Sequence, residues 1–416
     1  MVADAPGRRV ASRMPFHTLT AMESPPGDRM SPRVALVHDF LVDLRGADRV
    51  FLAICDIWPD APVYTAIYDE EGTEGRFAGR DVRTSFLQKL RPTARTFRAL
   101  FPLYPAAIES LDLSGYDVVI SSSSAWAHAV ICDEPTTHVS YCYNPFRYAW
   151  NDRERTLATC PDPLSRALLR SVLRRWRQWD WIAAQRVDRY LTISRTAQSR
   201  IRSYWRRDST IVHPPVETSR FAPGPVGDYY MILSELMRHK QIEVAIAAFN
   251  RLRLPLVIAG DGPDARRLRR AAGPTIEFTG RVSDAEAARL LSGCRAFVTP
   301  AVEEFGIAAV EAQAAGRPVI SPEAGGALET VKPGVTGAFF DGGVEDLVSV
   351  VSRFDTEAVD PDACVANAAR FDASHFRRAL PREVDRSLAS AREGVLERPV
   401  IRPARERRGR LIRSFG

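Results

Sequence analysis

The chain has 416 residues, with 57 Lys and Arg against 51 Asp and Glu and a formal net charge of +6. That length exceeds one ordinary core, so two domains are expected, and without a run of 18 apolar residues no transmembrane helix is expected. Most of the positive excess falls in residues 397–416, where seven Arg stand against two Glu; the body is near neutral, which argues against nucleic-acid binding by a basic surface.

Residues 1–31 are rich in Pro, Gly and Met and show no periodicity. They read as a disordered tail, with Met22 and Met30 as alternative starts. They lack an apolar segment of signal-peptide type, so no secretion is expected. The six cysteines show no CxxC spacing, which fits reduced thiols and offers no zinc site. The expected location is therefore the cytoplasm.

From residue 32 the pattern is regular. "RVALVHDF" is an apolar run, followed by a loop with Gly46 and the helical stretch "ADRVFLAICDIW". Further apolar runs are "APVYTAIY", "YDVVISSS", "HVSYCYNP", "RYLTIS" and "STIVHPPV". Continuous apolar strands separated by helices predict a parallel sheet covered on both faces. The polar, Pro- and Gly-rich stretch 217–227 reads as a linker. Beyond it the alternation restarts with "YYMILS", "PLVIAG", "IEFTG", "RAFVTP", "RPVIS" and "GAFF". The expected fold is α/β: two Rossmann-like doubly wound domains, 32–216 and 228–373, facing across a cleft. A closing helix is expected at 374–391 and a basic disordered tail at 392–416. Ligands of such sheets bind outside the strand C-termini, and a cleft between two of them suits a two-part substrate.

The most informative stretch is "EEFGIAAVEAQAAGRPVI", from Glu303 to Ile320. A helix is expected from Gly306 to Ala315, with Gly316 as its stop and Pro318 beyond. Its unpaired N-terminal N–H groups, from about Phe305 to Ala308, and its dipole favour a phosphate. Gly306 permits close approach of that phosphate to the backbone. Glu303 precedes the helix and Glu311 lies about one and a half turns inside it, so the two acids can accept hydroxyl hydrogen bonds on opposite sides of a bound diphosphate. Glu304 reads as a solvated loop acid.

With its neighbours, this stretch resembles the family-four retaining glycosyltransferases of GT-B fold. Glu303 to Glu311 match that family's E-x7-E motif, flanked in order by "GDGP", "FTGRVSD", "GGALETV" and "GVTG". In the first half "VALVHDFL", "GADRV", "YDVVISSSSAWA", "YNPFRYAW" and "VHPPVETSRF" are similar to a bacterial subgroup that includes mannosyltransferases for lipopolysaccharide and exopolysaccharide. The resemblance covers about residues 33–380. It implies a nucleotide-sugar donor, GDP-mannose favoured, and a glycan or lipid-linked acceptor. Glu303 is then expected to bind donor-sugar hydroxyls, Glu311 the ribose and Lys240 the diphosphate. Arg281 and Val282 are expected at the base, and the Phe305–Gly306–Ile307 backbone at the sugar and diphosphate. His128, in "SSSSAWAHAV", falls on the acceptor side; its competing reading is an ordinary polar loop histidine. Transfer with retention is implied, the leaving phosphate assisting the acceptor hydroxyl on one face. No DxD motif is convincing, so no metal is expected; "DPD" at 360–362 reads as chance.

Three positions depart from the family pattern. Glu235 stands where the family has Arg, and Arg238 is a candidate substitute. Arg45-Gly46 stand in place of paired glycines, with Arg45 able either to add charge at the diphosphate or to narrow its site. Tyr143 replaces a His. A scaffold that binds nucleotide sugar without catalysis is the alternative these changes motivate. An NAD-dependent oxidoreductase is disfavoured because no G-x-G-x-x-G follows the first strand. Finally, 165–186 is a basic helical stretch with Arg166, Arg170, Arg174, Arg175 and Arg177 beside Trp176, Trp179 and Trp181. Together with the basic tail it could meet an anionic membrane on the inner face of the plasma membrane; the competing reading places those tryptophans in the core.

Overall fold

The computed structural model describes residues 32–93 and 96–393. The two tails, including the basic stretch 397–416, lie outside the described residues.

The first sheet contains β1 (Val34–His38), β2 (Val63–Thr65), β3 (Val82–Thr84), β4 (Val118–Ser123), β5 (Thr137–Cys142), β6 (Arg189–Thr192) and β7 (Ser209–Ile211). Their order is β3-β2-β1-β4-β5-β6-β7, and every pairing is parallel. The second sheet contains β8 (Tyr230–Leu233), β9 (Leu256–Ala259), β10 (Ile276–Gly280), β11 (Phe297–Val298), β12 (Val319–Pro322) and β13 (Gly337–Phe340). Its order is β10-β9-β8-β11-β12-β13, again all parallel. Burial on both faces explains the unbroken apolar runs: every residue of β4 and of β9 is buried. β3 has no such run, because it is an edge strand with Arg83 turned to solvent, and the sequence pattern gives no sign of it.

Strand order reverses at β1/β4 and at β8/β11. Those are the switch points where an open α/β sheet leaves a crevice at its strand C-termini, and both crevices open onto the cleft between the domains.

The final helix, Ala373–Arg392, returns to the first domain. Phe376 meets Tyr141 of β5 edge-on at 5.5 Å, and Arg189 pairs with Glu383 at 3.4 Å. At the crossing, Thr218 donates to Asp372 at 2.6 Å. His213, Phe305 and Phe371 pack there, Phe371 edge-on to the other two rings, with centroids 5.1–5.5 Å apart. The side chain of Phe305 thus anchors the loop it belongs to at the domain junction, and only its backbone is left for the cleft.

Candidate active site

A cleft of about 690 Å³ separates the domains. In the second domain the loop after β11 carries Glu303 and Glu304 and runs into the helix Ile307–Ala314. Gly306 caps that helix with φ +88°, a left-handed conformation that favours glycine. Two more glycines press on this loop. A Cβ at Gly325 would meet the Glu303 carbonyl at 2.3 Å, and one at Gly326 would meet Phe305 Cα at 2.3 Å. Gly326 also donates its N–H to that carbonyl at 2.8 Å. The glycines of "GGALETV" therefore serve to hold the acidic loop in place.

Glu303 accepts two hydrogen bonds from Lys240 Nζ, at 2.7 and 2.8 Å. Glu311 lines the same cleft, and its side-chain carboxyl makes no hydrogen bond or ion pair to another described residue. Burial pushes its carboxyl above the usual range, and Arg220 and Arg49 only partly oppose that. A carboxylate left without partners at a cleft wall is ready to accept a ligand's hydroxyl groups. Gly46, Arg45, Arg281, Val282, Phe305, Gly306 and Ile307 also line the cleft.

Two expected site residues are elsewhere. His128 is 1% exposed and does not line the cleft. Its Nδ1 lies 3.2 Å from Ser123 Oγ, its Nε2 lies 3.4 Å from Asp180, and its ring packs on Trp205 at 4.8 Å. The physical cause is Asp39, at the end of β1. Its buried carboxylate accepts the backbone N–H groups of Ser124, Ala125, Trp126 and Ala127 at 2.6–3.1 Å, drawing the loop inward and carrying His128 beneath the helix Pro163–Ala184. The histidine is therefore a core residue. Arg238 is exposed and outside the cleft lining. It shares the 3₁₀ turn Arg238–Lys240, in which residues two apart cannot share a face, so Lys240 faces the cleft and Arg238 does not.

A third correction concerns Glu304, expected in solvent. Its side chain is 16% exposed and joins the domains. Arg147 donates to both its oxygens at 3.0 and 3.1 Å, and Arg200 to one at 2.9 Å. Burial alone would raise its carboxyl, but Arg147 and Arg200 outweigh that and hold it below the usual range. Arg200 also binds Asn144 at 2.8 Å. Sequence reasoning offered one missed signal, the Arg of "YNPFRYAW".

The departures from the expected pattern also find places. Tyr143 donates to the Ala47 carbonyl at 3.0 Å and bonds Ser122 Oγ at 2.8 Å, tying the loop after β5 to the helix Gly46–Ile57. Arg45 reaches across the cleft to Glu235 at 2.8 Å. Arg281 also crosses, through its side chain, to Asp43 at 3.2 Å and Glu74 at 3.3 Å. The formal DxD match resolves as a helix cap: Asp360 accepts the Asp362 N–H at 2.9 Å. Among the described residues, no group of three or more His, Cys, Asp or Glu side chains is placed to hold a metal ion.

Residues 217–371 match the model of glycosyl transferases group 1. The chain is 31% identical over 179 residues to a GDP-mannose-dependent alpha-mannosyltransferase of Corynebacterium glutamicum, covering 39% of this chain and 43% of that protein. It is 31% identical over 190 residues to a GDP-mannose-dependent alpha-(1-6)-phosphatidylinositol monomannoside mannosyltransferase of Mycolicibacterium smegmatis, covering 38% and 50%. The chain thus spans half or less of the length of these curated relatives. Among solved structures it is similar to Anabaena HepE in complex with UDP, with TM-score 0.63, 16% identity and coverage of 85% and 100%. Over residues 217–371 the chain is similar to the glycosyl transferases group 1, and its two sheets and their cleft form a GT-B fold.

Proposed function

We propose that the protein is a retaining mannosyltransferase that moves mannose from GDP-mannose to a glycan or lipid-linked acceptor in cell-surface polysaccharide synthesis. One observation carries this above all: Lys240, Glu303, the N-terminus capped by Gly306 and the unpartnered Glu311 converge on one interdomain cleft. In that cleft the helix N–H groups and Lys240 stabilise charge developing on the leaving diphosphate, as an oxyanion hole does. Glu303 takes sugar hydroxyls and Glu311 takes the ribose. Mannose is favoured because both curated relatives above are named for GDP-mannose.

The membrane contact belongs to the same proposal, in altered form. Trp176 and Trp179 pack on the Trp126 ring at 5.4 and 5.7 Å, so those two tryptophans serve the core. The exposed part is the first half of the helix Pro163–Ala184: Leu164 and Leu168, one turn apart, are 80% and 66% exposed, with Arg166, Arg170, Arg174 and Arg175 exposed beside them. Such a strip suits an anionic lipid surface. No helix among the described residues is long and apolar enough to cross a membrane.

Purified protein incubated with GDP-, UDP-, dTDP- and ADP-sugars tests the donor assignment. Release of GDP from GDP-mannose, accelerated by acceptor, is expected. Binding of GDP-mannose with no turnover under any acceptor would instead support the non-catalytic scaffold. Sedimentation with anionic liposomes at low salt, abolished by Leu164→Ser with Leu168→Ser, checks the membrane strip.

A further inference from the structure

The cleft is lined by six Arg or Lys side chains: Arg45, Arg49, Arg147, Arg220, Lys240 and Arg281. Each has a carboxylate within 4 Å. A diphosphate entering this cleft therefore meets no unpaired cation among the described residues and competes with a carboxylate for whichever one it approaches. The pairs differ in how firmly they are held. Glu303 accepts two short hydrogen bonds from Lys240, and Glu304 is shared between Arg147 and Arg200. Among the carboxylates paired with these cations, Glu235 is the one with a buried oxygen, Oε1, that lacks an aligned hydrogen bond, although Arg45 stands 2.8 Å away.

Arg45 itself is kept in place from its other side. Its Nε donates to Asp43 at 3.0 Å, and its backbone N–H is bound by Asp48 at 2.9 Å. The guanidinium so held stands at the N-terminus of the helix Gly46–Ile57, where Gly46 leaves open space. Releasing Glu235 costs no well-formed hydrogen bond and leaves a charged fork aimed into the cleft.

We propose that Arg45 and Glu235 are an exchange pair: Glu235 holds Arg45 in the empty cleft, a diphosphate takes Arg45 over, and Glu235 competes for its return when the nucleoside diphosphate leaves. This rests on the nucleotide-sugar assignment above. Arg45 is then a donor-binding residue supplied by the first domain. Glu235 is a positioning residue that limits retention of the product.

The test is a double-mutant cycle read by calorimetry with GDP and UDP on wild type, Glu235→Gln, Arg45→Gln and the double variant. Glu235→Gln is expected to tighten the nucleotide that wild type binds by about 3- to 10-fold, and Arg45→Gln to weaken it by a similar factor, the size of one such interaction. In the Arg45→Gln background the gain from Glu235→Gln is expected to vanish. Binding of the parent nucleoside, which carries no phosphate, is expected to stay unchanged; a merely structural effect would move it too. An Arg45→Gln protein that binds nucleoside diphosphate like wild type, or a Glu235→Gln gain that persists undiminished without Arg45, overturns the exchange pair alone. Failure of wild type to bind either nucleotide overturns the nucleotide-sugar assignment and the pair with it.

Discussion

Glu303 and Glu304 are adjacent in the chain and face opposite tasks. Glu303 pairs with Lys240 inside its own domain. Glu304 pairs with Arg147 and Arg200 of the other domain. The first pair belongs to the floor of the site, where two groups that a donor would use neutralise one another until it arrives. The second belongs to the wall, where a carboxylate fixes how the domains meet. Adjacent residues of the same type can thus take separate parts, because one meets a cation of its own domain and the other meets two cations of the facing domain.

The largest expected effects come from the floor. Lys240→Ala is expected to lower kcat/KM by roughly 100- to 1,000-fold, the size of a lost transition-state donor. Glu303→Gln is expected to cost roughly 10- to 150-fold in donor use. It should leave the bare nucleoside diphosphate bound at least as well, since Lys240 loses its competing carboxylate. If the loss grows as the sugar becomes cationic, kcat falls as well as KM rising. Steady-state kinetics beside calorimetry with GDP separates these outcomes.

Glu311→Gln is expected to weaken nucleotide sugar and nucleoside diphosphate alike, by roughly 10-fold, since both carry the ribose. The wild-type carboxyl is raised by burial. Nucleotide affinity should therefore fall as pH drops through that raised value, above the range of an ordinary glutamate, and Glu311→Gln should flatten this dependence. Equal weakening of the bare nucleotide by Glu303→Gln and Glu311→Gln would sink the division of labour between them.

The wall gives a smaller effect of another kind. Glu304→Gln is expected to cost roughly 1.5–3 kcal/mol of stability and to shift small-angle scattering toward larger dimensions, with a lesser change in kcat. The Glu304 carboxyl is held low, so the sign is that of a depressed acid: its contribution is complete above the ordinary glutamate pKa and is lost as pH falls through the lowered one. Thermal melts between pH 3 and 7 should show the wild-type advantage over Glu304→Gln persisting at pH values where an ordinary glutamate is half protonated. Smallest of all, Arg238→Ala should leave kcat/KM within about twofold, as for a surface substitution.

The chain itself determined the architecture. Strand burial on both faces forces apolar runs, so twelve of the thirteen strands among the described residues have a visible counterpart in the sequence, the exception being the edge strand β3. The loop carrying Glu303 and Glu304 was also legible, because its conformation depends on glycines with positive φ or close backbone contact and on a helix start. Those are local requirements that leave local marks. The long-range pairings left none. That Asp39 would gather the loop carrying His128, that Glu304 would meet Arg147 and Arg200, and that Arg45 would meet Glu235 depended on residues 85 to 190 positions apart being brought together by the tertiary fold. Charge in a sequence has no direction. Only the packing of the two sheets decided which acids line the cleft, which ones join the domains, and which basic residue of a three-residue turn faces the cleft.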